Sequence, residues 1–358
     1  MKVALITRST LFTAPGGDTV QVKQTANGLA ELGVDAEILL SNQAICYSDY
    51  NLLHFFNIIR PADILYHSKK ANKPFVVSTI LVNYSEYDKN HRKGIGALFS
   101  YLPGDSIEYL KTIARWVLGR DHLASLDYTW KGQRKSIIEI LGKTSIALPN
   151  SESEYRRLQQ KYCSKVKYAV IPNGIDPALF KNDPAIKKDK YMVLCVARIE
   201  GVKNQLNLIR ALNNTRFRLF IIGAPAPNQP GYYRQCREMA ANNIAFIDQL
   251  PQEDLVAYYG RAKVHVLPSW FETTGLSSIE AAAMSCNIVI TDKGDTREYF
   301  ESDAFYCDPS NPQSILEAVE QASNAPCGEK LQQKILNQYT WKQTAIQTLK
   351  AYQLTATP

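Results

Sequence analysis

Pro268-Ser269-Trp270-Phe271-Glu272-Thr273-Thr274-Gly275-Leu276-Ser277-Ser278-Ile279-Glu280-Ala281-Ala282-Ala283-Met284 changes character twice. The apolar run Val264–Pro268 reads as a strand that ends at the proline, and a polar stretch carrying Glu272 follows. From about Leu276 the small, Ala-rich residues favour a helix. A strand passing through a short loop into a helix is the repeating unit of a parallel sheet. Thr273, Thr274, Gly275 and Leu276 stand where the helix begins. Free backbone N–H groups and the positive end of the helix dipole gather there and suit a phosphate. An ordinary capped helix would use the same residues.

Working outward, the alternation repeats in both directions. Towards the C-terminal half, Met192–Val196, Phe217–Gly223, Ile244–Ile247 and Asn287–Thr291 read as further strands separated by helical segments or short loops. In the N-terminal half, Lys2–Thr7 reads as a buried strand, and Val22, Ala26 and Leu29 share a helical face. Gly33 sits where a helix C-cap belongs. Ala36–Leu40, Leu52–Asn57, Phe75–Ile80, Ser145–Leu148 and Tyr168–Ile171 supply the remaining strands of this series. Residues 84–143 break the pattern and read as helices and loops. Pro172-Asn173-Gly174-Ile175-Asp176-Pro177, followed by the charged Lys187-Lys188-Asp189-Lys190, marks a linker.

The fold expected is therefore α/β, with two doubly wound, Rossmann-like domains. Residues 1–172 form the first domain, 173–340 the second, and 341–358 a C-terminal helical segment. Ligands on such sheets bind beyond the carboxyl ends of the strands. Two facing sheets would place the site in a central cleft.

The 358 residues, 45% hydrophobic and 21% charged, suffice for two cores and exclude disordered and fibrous classes. The N-terminus turns polar at Thr7-Arg8-Ser9, so it lacks the apolar core of a signal peptide. No apolar run reaches the roughly 20 residues of a membrane-spanning helix. The seven cysteines have no CxxC spacing and read as buried thiols of a reducing cytosol. The formal charge of +7 suits a solvated basic surface, an anionic small ligand or an anionic lipid surface. No nucleic-acid-binding signature is present, and no nucleic-acid partner is expected. Tyr109–Arg120 mixes Lys111, Arg115 and Arg120 with Trp116, Val117 and Leu118. That pattern fits either a plain surface helix or one lying at a membrane interface.

Glu272 and Glu280 invite comparison with glycosidases, whose carboxylates sit ~5–9.5 Å apart across one bond. Here one lies in a loop and the other a turn or more into a helix rising about 1.5 Å per residue. They suit different parts of one long ligand. Carboxylates accept from hydroxyls, so Glu272 is expected on a sugar and Glu280 on a ribose, with a diphosphate at the helix start between them. Val196-Ala197-Arg198-Ile199-Glu200-Gly201-Val202-Lys203-Asn204 follows another strand and brings a guanidinium and an ammonium to the same end of the sheet. They are able to neutralise a diphosphate leaving group.

In this order, these motifs resemble the retaining GT-B glycosyltransferases of family 4, the glycosyl transferases group 1. The most specific element is Glu272 and Glu280 with seven residues between them. Gly16-Gly17 after the first strand, Pro172–Asp176, Ala197-Arg198 with Lys203, and Val266–Ser269 support it, and the likeness spans nearly the whole chain. The resemblance implies that Arg198 and Lys203 bind the donor diphosphate, Glu272 the transferred sugar and Glu280 the ribose. Gly16 and Gly17, lacking a Cβ, would let a first-domain loop approach the phosphates. It implies retention of the anomeric configuration, no metal, no cofactor beyond the nucleotide-sugar co-substrate, and a C-terminal helix crossing back to the first domain, so that the halves close by a hinge. UDP is the default nucleotide, with GDP next. The acceptor would be a hydroxyl of a growing glycan or a lipid-linked molecule in polysaccharide, glycolipid or glycoconjugate synthesis. The location implied is cytoplasmic, with peripheral contact at an anionic membrane face.

One departure stands out. The family often has a histidine in a T-x-H phrase, where this chain reads Val77-Ser78-Thr79-Ile80-Leu81-Val82-Asn83-Tyr84. Asn83, Tyr84 and His54 are the candidate replacements, and each also suits packing. The missing histidine leaves open a nucleotide-sugar-binding protein without transferase activity. A sugar-nucleotide epimerase or a phosphorylase on the same architecture is a third reading.

Overall fold

The computed structural model describes residues 1–91, 103–119, 123–163, 165–183 and 185–355, the side chains of 89–91 excepted. Lys2–Thr7 (β1), Asp35–Leu40 (β2), Leu52–Phe56 (β3), Phe75–Ser78 (β4) and Ile146–Leu148 (β5) form a parallel sheet in the order β2-β1-β3-β4-β5. Side chains alternate across a strand, so β1 feeds two cores. Val3 and Leu5 pack with Val22, Leu29 and Tyr352 of helices Gly17–Glu31 and Trp341–Thr355. Ala4 and Ile6 face Ile64, Ile137 and Leu158 of helices Pro61–Ala71, Asp127–Lys143 and Glu152–Tyr162. Burial on both faces explains the continuous apolar runs of β3 and β4.

A second parallel sheet is built from Asp189–Val196 (β6), Arg218–Ile222 (β7), Ile244–Ile247 (β8), Ala262–Leu267 (β9), Asn287–Thr291 (β10) and Phe305–Cys307 (β11), in the order β11-β10-β9-β6-β7-β8. Here β6 divides its residues: Met192 and Leu194 join one core, Val193 and Cys195 the other. The two doubly wound sheets expected from the alternation are present.

Two compact units result. One contains residues 1–85, 92–173 and 341–358, and the other 86–91 and 174–340. The two ends of the 174–340 segment are pinned together, because Ile175 and Thr340 form a parallel bridge and the Ile175 amide donates to the Tyr339 carbonyl at 2.9 Å.

Several local expectations are corrected. Tyr168–Ile171 falls short of a full strand: Tyr168 makes a single parallel bridge to Ala147, while the Ala169 and Ile171 amides donate to the carbonyls of Ala147 and Pro149. The charged Lys187–Lys190 stretch is not the linker, since the chain passes between units at 173–174 and β6 already begins at Asp189. The three-residue β11 was not expected. Cys46 and Cys163 are exposed rather than buried, Cys327 is partly so, and all seven cysteines are free thiols. Gly104–Val117 is a helix whose Ile107 is buried, whereas Trp116, Val117 and Leu118 are exposed. Arg120 lies outside the described residues. No helix among the described residues is long and apolar enough to cross a membrane.

Candidate functional site

Strand order locates the site in the second unit. The chain leaves β6 towards β7 on one side, and its other neighbour is β9, so the crevice beyond the carboxyl ends of β6 and β9 is the topological switch point where ligands of doubly wound sheets bind. Arg198 and Lys203 follow β6, and Glu272 follows β9.

Lys203 ends a single helical turn, Gly201–Lys203, and its ammonium donates to Glu272 Oε1 at 2.5 Å. The Ser269 hydroxyl donates to the same oxygen at 2.7 Å. Glu272 is nearly inaccessible, at 6% exposure, while the Lys203 side chain keeps 23%. The pair is thus withdrawn from bulk water but open along one edge. Arg198 pairs with the Glu200 carboxylate at 2.9 Å, and its side chain is 39% exposed. Asn204 ties the two loops by donating to the carbonyls of Pro268 and Pro309 at 3.0 and 2.7 Å.

The Glu272 backbone is clamped by the turn after β10. Its N–H donates to Lys293 O at 3.1 Å, and its carbonyl accepts from Asp295 N–H at 2.9 Å. Gly294, between them, has φ +104°, and a Cβ there would fall 1.9 Å from the Glu272 carbonyl oxygen. Only glycine permits this approach.

The helix begins at Leu276, as expected, and runs to Ala283. Gly275 caps it in the left-handed conformation at φ +70°. The Gly275 carbonyl accepts from the Ser278 and Ile279 amides, so the amides ahead of them belong to the free first turn. Thr273 is half-buried; Thr274 is buried, its hydroxyl 3.1 Å from that of Tyr299. Glu280 accepts from Gln252 Nε2 at 2.6 Å and from the Tyr259 hydroxyl at 3.0 Å. Burial outweighs these two bonds and pushes its carboxyl up to about 7.

Arg198, Lys203, Glu272, Thr273, Thr274, Gly275, Leu276 and Glu280 all lie in the second unit; Lys203 and Glu272 meet at its switch point, while Arg198, after the same strand as Lys203, pairs with Glu200. The other candidates lie in the first unit. Gly16 and Gly17 open helix Gly17–Glu31, where the Gly16 amide donates to Thr19 Oγ1 at 3.0 Å. Asn83 is exposed and accepts from the Ser85 amide at 3.2 Å, and Tyr84 is half-buried. His54 is corrected to a core residue. It is 1% exposed, with Nδ1 2.6 Å from the Tyr352 hydroxyl and Nε2 2.8 Å from Ser78 Oγ, and desolvation lowers its pKa to about 3.

Sequence reasoning missed Ser269, Gln252, Tyr259 and Gly294. Ser269 stood inside the quoted motif, and Gly294 follows a strand end; position at a carboxyl end was the available signal. Gln252 and Tyr259 carry none, because they reach Glu280 only through tertiary packing.

Residues 178–341 match the family model described as glycosyl transferases group 1. That match covers nearly all of residues 174–340 of the second unit. Among curated relatives, the D-inositol 3-phosphate glycosyltransferase of Acidothermus cellulolyticus is 24% identical over 174 residues, which span 42% of this chain and only 39% of that relative's length. Among solved structures, sucrose-phosphate synthase from Thermosynechococcus elongatus superposes with TM-score 0.76 at 16% identity, covering 99% of this chain and 98% of that one. Anabaena Alr3699/HepE in complex with UDP and glucose gives TM-score 0.70 at 14% identity, covering 99% of each chain. These likenesses show the GT-B fold.

Proposed function

We propose that the chain transfers a glycosyl group from a nucleotide diphosphate sugar, with UDP as the nucleotide, to a hydroxyl acceptor with retention of configuration. The observation that carries this reading is the Lys203–Glu272 pair at the switch point. It sets a cation suited to phosphate against a carboxylate suited to sugar hydroxyls. Thr273, Thr274, Gly275 and Leu276 offer a phosphate seat at a helix start. Glu280 retains free lone pairs for a ribose diol. The description of the Anabaena neighbour with UDP and glucose supports the choice of nucleotide.

In the transfer, the acceptor oxygen bonds to the anomeric carbon as the bond from that carbon to the diphosphate breaks. A donor phosphate oxygen receives the acceptor proton. Arg198 and Lys203 neutralise the departing diphosphate, a contribution that grows as charge develops, so no metal is required. Gly16 and Gly17 are the residues we assign to the phosphates, and Asn83 and Tyr84 those we assign to the acceptor.

A glycan or lipid-linked hydroxyl is the acceptor we favour. Trp116, Val117 and Leu118 are exposed at the end of helix Gly104–Val117, which also carries Lys111 and Arg115, and the 68%-exposed Leu126 and 92%-exposed Trp130 follow on the surface of the first unit. Such a surface suits peripheral contact with anionic lipid. Cosedimentation with vesicles containing anionic lipid, lost in a Trp116→Ser/Trp130→Ser variant, would support the contact; equal binding by both would refute it.

The test of the activity is release of UDP from UDP-hexoses against a panel of sugar and lipid-linked acceptors, with and without chelator. Acceptor-dependent release with the α-configured donor yielding an α-linked product is expected. Hydrolysis without transfer to any acceptor would replace this reading with nucleotide-sugar binding alone.

A further inference from the structure

The amino ends of β6, β9 and β10 lie at the opposite end of the second sheet from Glu272, and a cavity of about 510 Å³ opens there. Four lysines line it, Lys187, Lys188, Lys190 and Lys263, against one carboxylate, Glu329. The Lys188 ammonium donates to the carbonyls of Tyr259 and Met284, each at 2.6 Å, with no carboxylate partner among the described residues. Lys263 is 8% exposed, and its ammonium meets Cys327 Sγ at 3.3 Å and no carboxylate among the described residues. Sulfur is a weak acceptor for a buried cation. Lys187 and Lys190 are exposed and have no ion-pair partner among the described residues. Ammonium groups withdrawn from water without counter-charge are costly unless an anion joins them.

The same wall carries a second signal. Asn182 Oδ1 is buried and has no hydrogen-bond donor. Such an atom calls for a donor, which the dianionic phosphate group of a monoester does not supply and a hydroxyl elsewhere on the same molecule does. We propose that this cavity binds a phosphate monoester of a polyhydroxyl compound: the lysines take the phosphate and Asn182 takes a hydroxyl. The site is distinct from the donor site. Lys263 sits near the start of six-residue β9 and Glu272 beyond its end, and a strand of that length spans about 20 Å. Occupancy neutralises a cluster that the fold leaves unbalanced, at a place where no step of glycosyl transfer occurs.

The experiment is calorimetric titration of the full chain with glucose 6-phosphate, inorganic phosphate and glucose. Three variants accompany it: Lys187→Glu/Lys190→Glu, at exposed positions; Asn182→Leu; and Arg198→Ala at the other end of the sheet. Glucose 6-phosphate should bind the parent and Arg198→Ala alike, and bind the double variant about tenfold more weakly or worse, with an affinity that falls as salt rises. Glucose should not bind. Asn182→Leu should weaken glucose 6-phosphate but leave inorganic phosphate unchanged. Absence of glucose 6-phosphate binding, or its loss in Arg198→Ala with retention in the double variant, would overturn the site. Equal affinity for phosphate and glucose 6-phosphate would overturn the part assigned to Asn182.

Discussion

Lys203 Nζ and Glu272 Oε1 are 2.5 Å apart although the residues come from loops after different strands, β6 and β9. A group suited to phosphate and a group suited to hydroxyls are thereby electrostatically coupled, and each sets the position of the other.

Removing either should therefore disturb both. Lys203→Ala and Glu272→Ala are each expected to lower kcat/KM by about 100-fold or more, the scale of one lost electrostatic contact in a transition state. The double variant should be far less impaired than the product of the two, with a coupling of roughly 1–3 kcal/mol. Steady-state kinetics of the four proteins check this. Independent effects would mean that the pair does not act as a unit.

Glu280 makes a pH-dependent contribution whose sign follows from its burial. Its carboxyl is raised from 4.5 to about 7, so the folded state holds a proton that the unfolded chain releases. The stabilisation this gives is complete below about 4.5 and disappears as pH rises through about 7. Glu280→Gln should remove that decline, gaining on the order of 1–3 kcal/mol relative to the parent above neutrality. Donor binding should move oppositely in the parent, improving as the carboxylate ionises. Denaturant unfolding and nucleotide titration from pH 5 to 8 would measure both; parallel curves for parent and variant would refute the assignment.

Gly294→Ala is predicted to act on Glu272 without touching any ligand. The new methyl would collide with the Glu272 carbonyl, forcing the loop outward and costing about 2 kcal/mol or more. UDP affinity should fall with it. Unaltered melting temperature and nucleotide binding would show that the turn after β10 relaxes freely.

In the first unit, Tyr352→Phe takes away the hydroxyl 2.6 Å from His54 Nδ1. With that buried nitrogen unpartnered, about 1–3 kcal/mol of stability should be lost. His54, held at about 3, takes up its proton only on unfolding. The stability it contributes is present above about 6.5 and is lost as pH falls towards 3. Urea titrations at pH 7 and pH 5 test both statements.

The strands and the helix start were legible because burial on both faces leaves uninterrupted apolar runs. Ile244–Ile247, Asn287–Thr291 and Leu276 stand at the boundaries their residues suggested. Phe305–Cys307 escaped notice because three residues make no periodic signal, and Tyr168–Ile171 follows β5 through backbone hydrogen bonds from the Ala169 and Ile171 amides without closing a second bridge. At the candidate site, charged residues following strand ends were visible, but their pairing was not. Nothing in the spacing of Arg198, Glu200, Lys203 and Glu272 dictates which cation meets which carboxylate; the turn geometry of Gly201–Lys203 and the clamp at Gly294 decide it. Glu280's environment depends on Gln252 and Tyr259, a helix away in sequence.

The bridge between Ile175 and Thr340 makes residues 174–340, the greater part of the second unit, a closed loop whose two ends touch. To the rest of the chain it is no wider than a turn, so residues 1–173 could be spliced to the final helix through a few small linking residues. The excised domain, already tied at its own ends, could be opened elsewhere and still find its fold.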